Sequence, residues 1–166
     1  MATHSATHSA THSATHLLEF ETKLYGSLTE IFEFFSRAEN LNKVTPPDVS
    51  FTILTPSPIP TKVGTLIDYR IKLMGIPMYW RTLITDFEPL VRFVDQQLKG
   101  PYLLWHHEHT FEDKGDYVLM TDRVHYLSPG GFLEPLIDRF IVRPQLNKIW
   151  AYRDKRFSEL FGKKGL

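Results

Sequence analysis

The sequence predicts an α+β domain in which a strongly curved, seven-stranded antiparallel sheet is wrapped around one long C-terminal helix, with two short helices after the first strand. Three observations predict it. Apolar residues alternate with period two in six segments between residues 49 and 127, and short turn-like stretches separate them. From residue 133 to 161 the apolar spacing becomes three to four, as on a helix face. Ahead of both runs stand an isolated strand pattern and a capped helix.

Taken in order, residues 17–24 place Leu18, Phe20, Thr22 and Leu24 on one side of a half-buried strand. Gly26 ends it, and Ser27-Leu28-Thr29-Glu30 is a capping box, in which the serine side chain caps a first-turn amide and the glutamate reaches back. The helix that follows carries Leu28, Ile31, Phe32 and Phe35 on one face and runs to about Ser36. A shorter helical turn around Ala38–Val44 stops at Pro46-Pro47. Six strands come next, near residues 49–54, 64–73, 77–87, 91–98, 102–112 and 116–127. Their separators at residues 56–60, Gly75, Glu88-Pro89, Gly100-Pro101 and 113–115 are short enough for antiparallel hairpins. The terminal helix begins after Ser128-Pro129-Gly130-Gly131, and Pro144 should kink it, because the ring removes a donor and clashes with the previous turn.

Composition narrows the function. A chain of 166 residues suits one domain. Nineteen basic residues balance nineteen acidic ones without a basic stripe, so nucleic acid is not an expected partner. No apolar run approaches the roughly 18 to 20 residues that cross a bilayer, and no leader pattern stands at the N-terminus, so a cytoplasmic location is expected. The absence of cysteine excludes a disulfide framework, a thiol nucleophile and a Cys-ligated zinc site. There is no Gly-x-Ser-x-Gly elbow and no glycine-rich phosphate or dinucleotide loop.

Residues 1–16 stand apart from the domain expected over residues 17–166. They repeat Ala-Thr-His-Ser and offer nothing to a core. On a helix, His4, His8, His12 and His16 would share a stripe able to hold a metal adventitiously, but Thr and Ser are weak helix formers and the repeat reads as tag-like.

Several stretches resemble a known superfamily. They are Gly64-Thr65-Leu66-Ile67-Asp68-Tyr69, Gly75-Ile76-Pro77 with Trp80, Phe93-Val94-Asp95-Gln96, Gly100-Pro101-Tyr102, Trp105-His106-His107-Glu108-His109 with Phe111, and Thr121-Asp122-Arg123-Val124 with Tyr126, Pro129 and Gly130. Together they resemble the START-like, or birch-pollen-allergen-like, superfamily, most closely its bacterial ligand-binding SRPBCC branch, also labelled polyketide cyclase/dehydrase-like. The resemblance spans residues 17–161. It implies a helix-grip fold with an internal cavity rather than a reaction, and Pro144 departs from its pattern.

The alternation places candidate ligand-binding side chains on the sheet's inner face: Tyr69, Met78, Trp80, Phe93, Trp105, His107, His109 and Tyr126. Ile137, Phe140 and Ile141, with Leu136, are expected to form a lid from the terminal helix. The strand holding Phe93 and Asp95 splits ambiguously between its two faces. The expected function is non-catalytic binding or transport of a hydrophobic small molecule, whether lipid, isoprenoid or polyketide-like, by a monomer or homodimer. The alternative is a cyclase or dehydratase in which His107, His109 and Asp122 move protons on a bound polyketone. No cofactor is expected. His107, His109 and Asp122 could in principle hold one metal ion, but the spacing is not diagnostic and no metal is expected. The entrance is expected at the loop of residues 56–60 and the turn of residues 128–131.

Overall fold

Alternation of more and less buried side chains organises most of the sheet, which in a computed structural model covering residues 15–49 and 51–162 has seven strands. These are β1 (His16–Leu24), β2 (Phe51–Ile53), β3 (Leu66–Leu73), β4 (Ile76–Glu88), β5 (Arg92–Lys99), β6 (Leu104–Asp113) and β7 (Val118–Leu127). Their order is β1-β7-β6-β5-β4-β3-β2, and every neighbouring pair is antiparallel. Met74 and Gly75 both adopt positive φ, the geometry of a two-residue hairpin turn whose twist suits the flanking strands. Two register shifts in the β4–β5 ladder, at Arg81/Thr82 and Ile84/Asp86, bend the sheet where it must curl.

The capping box forms as the sequence requires. Glu30 N–H donates to the Ser27 hydroxyl at 3.2 Å, and Ser27 N–H donates to the Glu30 carboxylate at 3.3 Å. Helix α1 (Leu28–Ser36) then buries Ile31 and Phe32, and Phe32 packs edge-on against Phe93 and Phe111. A 3-10 helix spans Ala38–Val44. The C-terminal helical region comprises α2 (Glu134–Ile137), a π-helical turn (Asp138–Val142) and α3 (Arg143–Phe161). Pro144 sits in the first turn of α3, directly after the π-helical turn, and that wide turn is the expected irregularity, accommodating the ring and its missing N–H.

Helix α3 closes the concave face with Leu146, Ile149, Trp150 and Phe157. The expected lid residues do not join them. Ile137 is only half-buried, and Leu136, Phe140 and Ile141 are exposed, Phe140 at 68%. The reason is phase: at 3.6 residues per turn, Leu136, Ile137, Phe140 and Ile141 centre roughly 150° away from the Leu146–Phe157 stripe. The buried side of the preceding segment is acidic instead. Glu134 and Asp138 point inward, where Glu134 meets His16 at 2.9 Å and Asp138 accepts from the Tyr126 hydroxyl at 2.5 Å and from Arg143.

His16 therefore belongs to the folded unit, one residue earlier than the boundary expected from the repeat. It pairs with Tyr126 in the sheet and contacts both Glu134 and Arg143. His4, His8 and His12 lie outside the described residues. Deleting residues 2–14 is expected to leave the melting temperature unchanged within about 1 °C, whereas deletion through His16 lowers it by several degrees, since about 1 kcal/mol corresponds to roughly 2–8 °C in domains of this general size. Differential scanning calorimetry of the two truncations checks this. Equal melting temperatures would show that His16 contributes nothing.

Candidate functional site

Two apolar clusters fill the space under the sheet. One gathers Ile67, Tyr69, Trp80, Trp105 and Trp150, and the other gathers Phe32, Phe93, Phe111, Met120 and Phe157. Between them lies a cavity of about 150 Å³, lined from both clusters. A second cavity of about 60 Å³ adjoins it, sharing Phe51, Trp80, Trp105, His107 and Arg153 as walls. The larger cavity reaches the end of α1 at Ser36 and the exposed Arg37, facing Thr61, whose hydroxyl donates to the Ser36 carbonyl. None of residues 56–60 or 128–131, where the entrance was expected, lines either cavity.

Of the residues singled out from sequence, Tyr69, Trp80, Phe93, Trp105, His107, His109 and Asp122 line the larger cavity. Met78 packs half-buried beside the first cluster, and Tyr126 is buried with its hydroxyl committed to Asp138. These two, with Ile137, Phe140 and Ile141, lie outside both linings. Asp95 and Arg153 also line the cavity and were not among the candidate site residues. Asp95 is in phase with Phe93, so choosing Phe93 for the inner face also chooses Asp95. Arg153 falls on the same helical stripe as Leu146, Trp150 and Phe157, where a charge among apolar residues is itself a signal.

The wall of the cavity carries a compact charged cluster, assembled by register. On β6, His107 and His109 are two residues apart and face inward. Asp95 on β5 is opposite His107, and Asp122 on β7 is opposite His109. His107 Nε2–H donates to Asp122 Oδ1 at 2.9 Å. His109 Nε2–H donates to Asp95 Oδ2 at 3.0 Å, and its Nδ1 lies 2.7 Å from Asp122 Oδ1. That last oxygen sits off the direction of the ring N–H, so the contact is electrostatic rather than a formed hydrogen bond. Phe93 stacks on His109 at 4.2 Å between ring centres.

Burial and charge compete within this cluster. Burial would push His109 down, but the close Asp122 carboxylate, and then the hydrogen bond and charge of Asp95, outweigh it and raise the imidazole to about 9. His107 goes the other way, because burial and the neighbouring His109 charge exceed the help from Asp122. Burial works against both carboxylates, yet the two histidines hold Asp122 and Asp95 below the usual carboxylate range. Near neutral pH the resting site is thus a His109 imidazolium between two carboxylates, with His107 neutral. The Arg153 guanidinium has no ion pair within 4.0 Å among the described residues, its Nε is buried without a partner, and it lies over the Trp150 ring at 5.1 Å. Burial lowers its affinity for the proton, while Asp122 and Asp95 oppose that fall.

No protein-family model matches the chain, and no curated protein matches it in sequence. Solved structures do match in fold. Major latex-like protein 151 from Panax ginseng superposes with a TM-score of 0.64 over 89% of this chain and 97% of its own, at 13% identity. A START superfamily protein from Mycobacterium smegmatis gives 0.60 over 87% and 99%, at 14% identity. A protein from Arthrobacter aurescens gives 0.65 over 89% and 92%, at 12% identity. The seven-stranded curved sheet and long C-terminal helix are those of the START-like and birch-pollen-allergen-like proteins, a helix-grip fold. Among the described residues no helix is long and apolar enough to cross a membrane.

Proposed function

We propose that the protein binds one compact, largely apolar small molecule in the larger cavity and carries or senses it without transforming it. The observation that supports this most is the lining: Phe35, Phe51, Tyr69, Trp80, Phe93 and Trp105 surround a space of about 150 Å³. A space of that order accepts a molecule of about one aromatic ring. A lipid or tetracyclic polyketide of several hundred Å³ needs the two cavities to merge, which movement of Trp105 or Arg153 in their shared wall would do.

An acid–base enzyme is the second reading, and the charged cluster in the cavity wall favours it. His107, His109 and Asp122 are where such an enzyme needs them, facing the cavity. Against it, both ring nitrogens of His109 and Nε2 of His107 already face carboxylate oxygens, so a bound ketone meets no free imidazole donor.

A panel of single-ring aromatics, monoterpenoid-sized ketones and fatty acids, screened by thermal shift and by mass spectrometry for turnover, tests both readings. A binder at one hundred times its Kd is expected to add about 2.7 kcal/mol of stability. Ile84→Trp, which fills the cavity from β4, is expected to abolish that gain while the protein stays folded. Stabilisation that persists in Ile84→Trp places the ligand elsewhere, and consumption of a bound ketone establishes the enzyme.

A further inference from the structure

We propose that Asp95, His107 and His109 form a binding site for one divalent transition-metal ion in the cavity wall, with Asp122 as the carboxylate that orients both imidazoles. The inner donor atoms converge. Asp95 Oδ2 is 3.0 Å from His109 Nε2 and 3.6 Å from His107 Nδ1, and all three lie within 4.8 Å of one another. Donors bound to a metal at about 2.1 Å, at right or tetrahedral angles, are about 3.0 to 3.4 Å apart, so the two distances from Asp95 Oδ2 need change only by tenths of an ångström.

The outer nitrogens supply the second observation. His107 Nε2 and His109 Nδ1 both lie beside the same oxygen, Asp122 Oδ1, at 2.9 and 2.7 Å. Ligating histidines characteristically give their other nitrogen to a carboxylate, which fixes the ring and raises its basicity. Here one fully buried carboxylate serves two rings, and each ring presents its remaining nitrogen toward Asp95. The donors lie on paired strands β5 and β6, so the sheet holds their spacing, and the open coordination positions face the cavity.

Charge and donor chemistry agree. Two carboxylates balance a divalent ion with both histidines neutral, and the ion takes the place of the proton that His109 otherwise holds between them. Two nitrogens and one oxygen without sulfur suit Zn²⁺, Co²⁺, Fe²⁺ or Mn²⁺ rather than Cu⁺. A second His and carboxylate group, His16 with Glu134 and Asp138, does not qualify. Arg143 already occupies it, 3.1 Å from His16 Nδ1 and 2.8 Å from Asp138 Oδ2.

Co²⁺ is the probe, added to chelator-stripped full-length protein and followed by visible absorption and by quenching of Trp105 and Trp150, whose rings lie 6.2 and 5.8 Å from His107. The repeat histidines are controlled by a His4→Ala, His8→Ala, His12→Ala variant. Stoichiometric Co²⁺ absorption with tryptophan quenching is expected in wild type and in that triple variant. Asp95→Asn, at a side chain 20% exposed and so tolerant of the change, is expected to lose at least ~100-fold in affinity, and Asp122→Asn ~10- to 100-fold. Circular dichroism of each metal-free variant separates lost binding from lost folding. The proposal is overturned by binding that disappears in the triple variant, by a folded Asp95→Asn that binds as wild type does, or by no stoichiometric binding at all.

Discussion

Asp122→Ala is expected to lower the unfolding free energy by roughly 3–5 kcal/mol, the cost of breaking a buried ion pair by removing one partner. Asp122 is 1% exposed and is the only acceptor that His107 Nε2 has within hydrogen-bonding distance among the described residues. Without it, His109 also loses its stronger carboxylate neighbour. Urea denaturation measures the loss, and its pH dependence identifies the cause. In the metal-free wild type, His109 is raised from 6.5 to about 9, so its stabilising effect is complete below pH 6.5 and is lost as pH climbs through about 9. His107 is lowered, so the unfolded chain takes up a proton near pH 6.5 that the folded site refuses, and stability falls as pH drops below that value. The two together put the maximum near pH 6.5 to 7, with a slope of at most about 1.4 kcal/mol per pH unit for each proton. In Asp122→Ala the alkaline slope should shrink, because the carboxylate that does most to hold the His109 proton is gone. A loss under about 1 kcal/mol with an unchanged pH profile would mean that the cluster relaxes to satisfy itself without Asp122.

Most of the fold was legible because period-two and period-3.6 patterns are local. The seven strands, the Ser27–Glu30 capping box and the long terminal helix all appear within a few residues of their expected bounds. Alternation also put His107, His109 and Asp122 on the inner face, where the ladder then brings them together. What pattern could not supply was phase across an irregularity and partnership across distance. The π-turn and the half-turn offset before Pro144 separate two apolar runs that look continuous in sequence, so Phe140 and Ile141 face outward while Glu134 and Asp138 turn in. Their inward position is explained only by His16, more than a hundred residues away, and by Tyr126 and Arg143. Asp95 was obscured because its strand carries polar residues on both faces, and only the β5–β6 register settles that it joins the histidines.

The phase of the terminal helix yields the second large effect. Trp150→Ala is expected to cost about 3–5 kcal/mol, while Phe140→Ala, a comparable loss of aromatic surface ten residues earlier, stays within about 0.5 kcal/mol. Trp150 is buried, stacks on Phe20 at 5.0 Å, and lies 6.4 Å from Trp105 across the second cavity. Its removal strips the contacts that seat α3 on β1 and β6 and leaves a void continuous with that cavity. The indole N–H has no hydrogen-bond partner among the described residues, so deleting it removes one unsatisfied donor and pulls the cost toward the lower end of the range. Phe140 loses little because little of it is covered. Parallel denaturation curves of the two variants measure both numbers. Equal losses would place Phe140 in contact with the core and reverse the assignment of the inward face, whereas a tolerated Trp150→Ala would show that Leu146, Ile149 and Phe157 suffice to hold the helix.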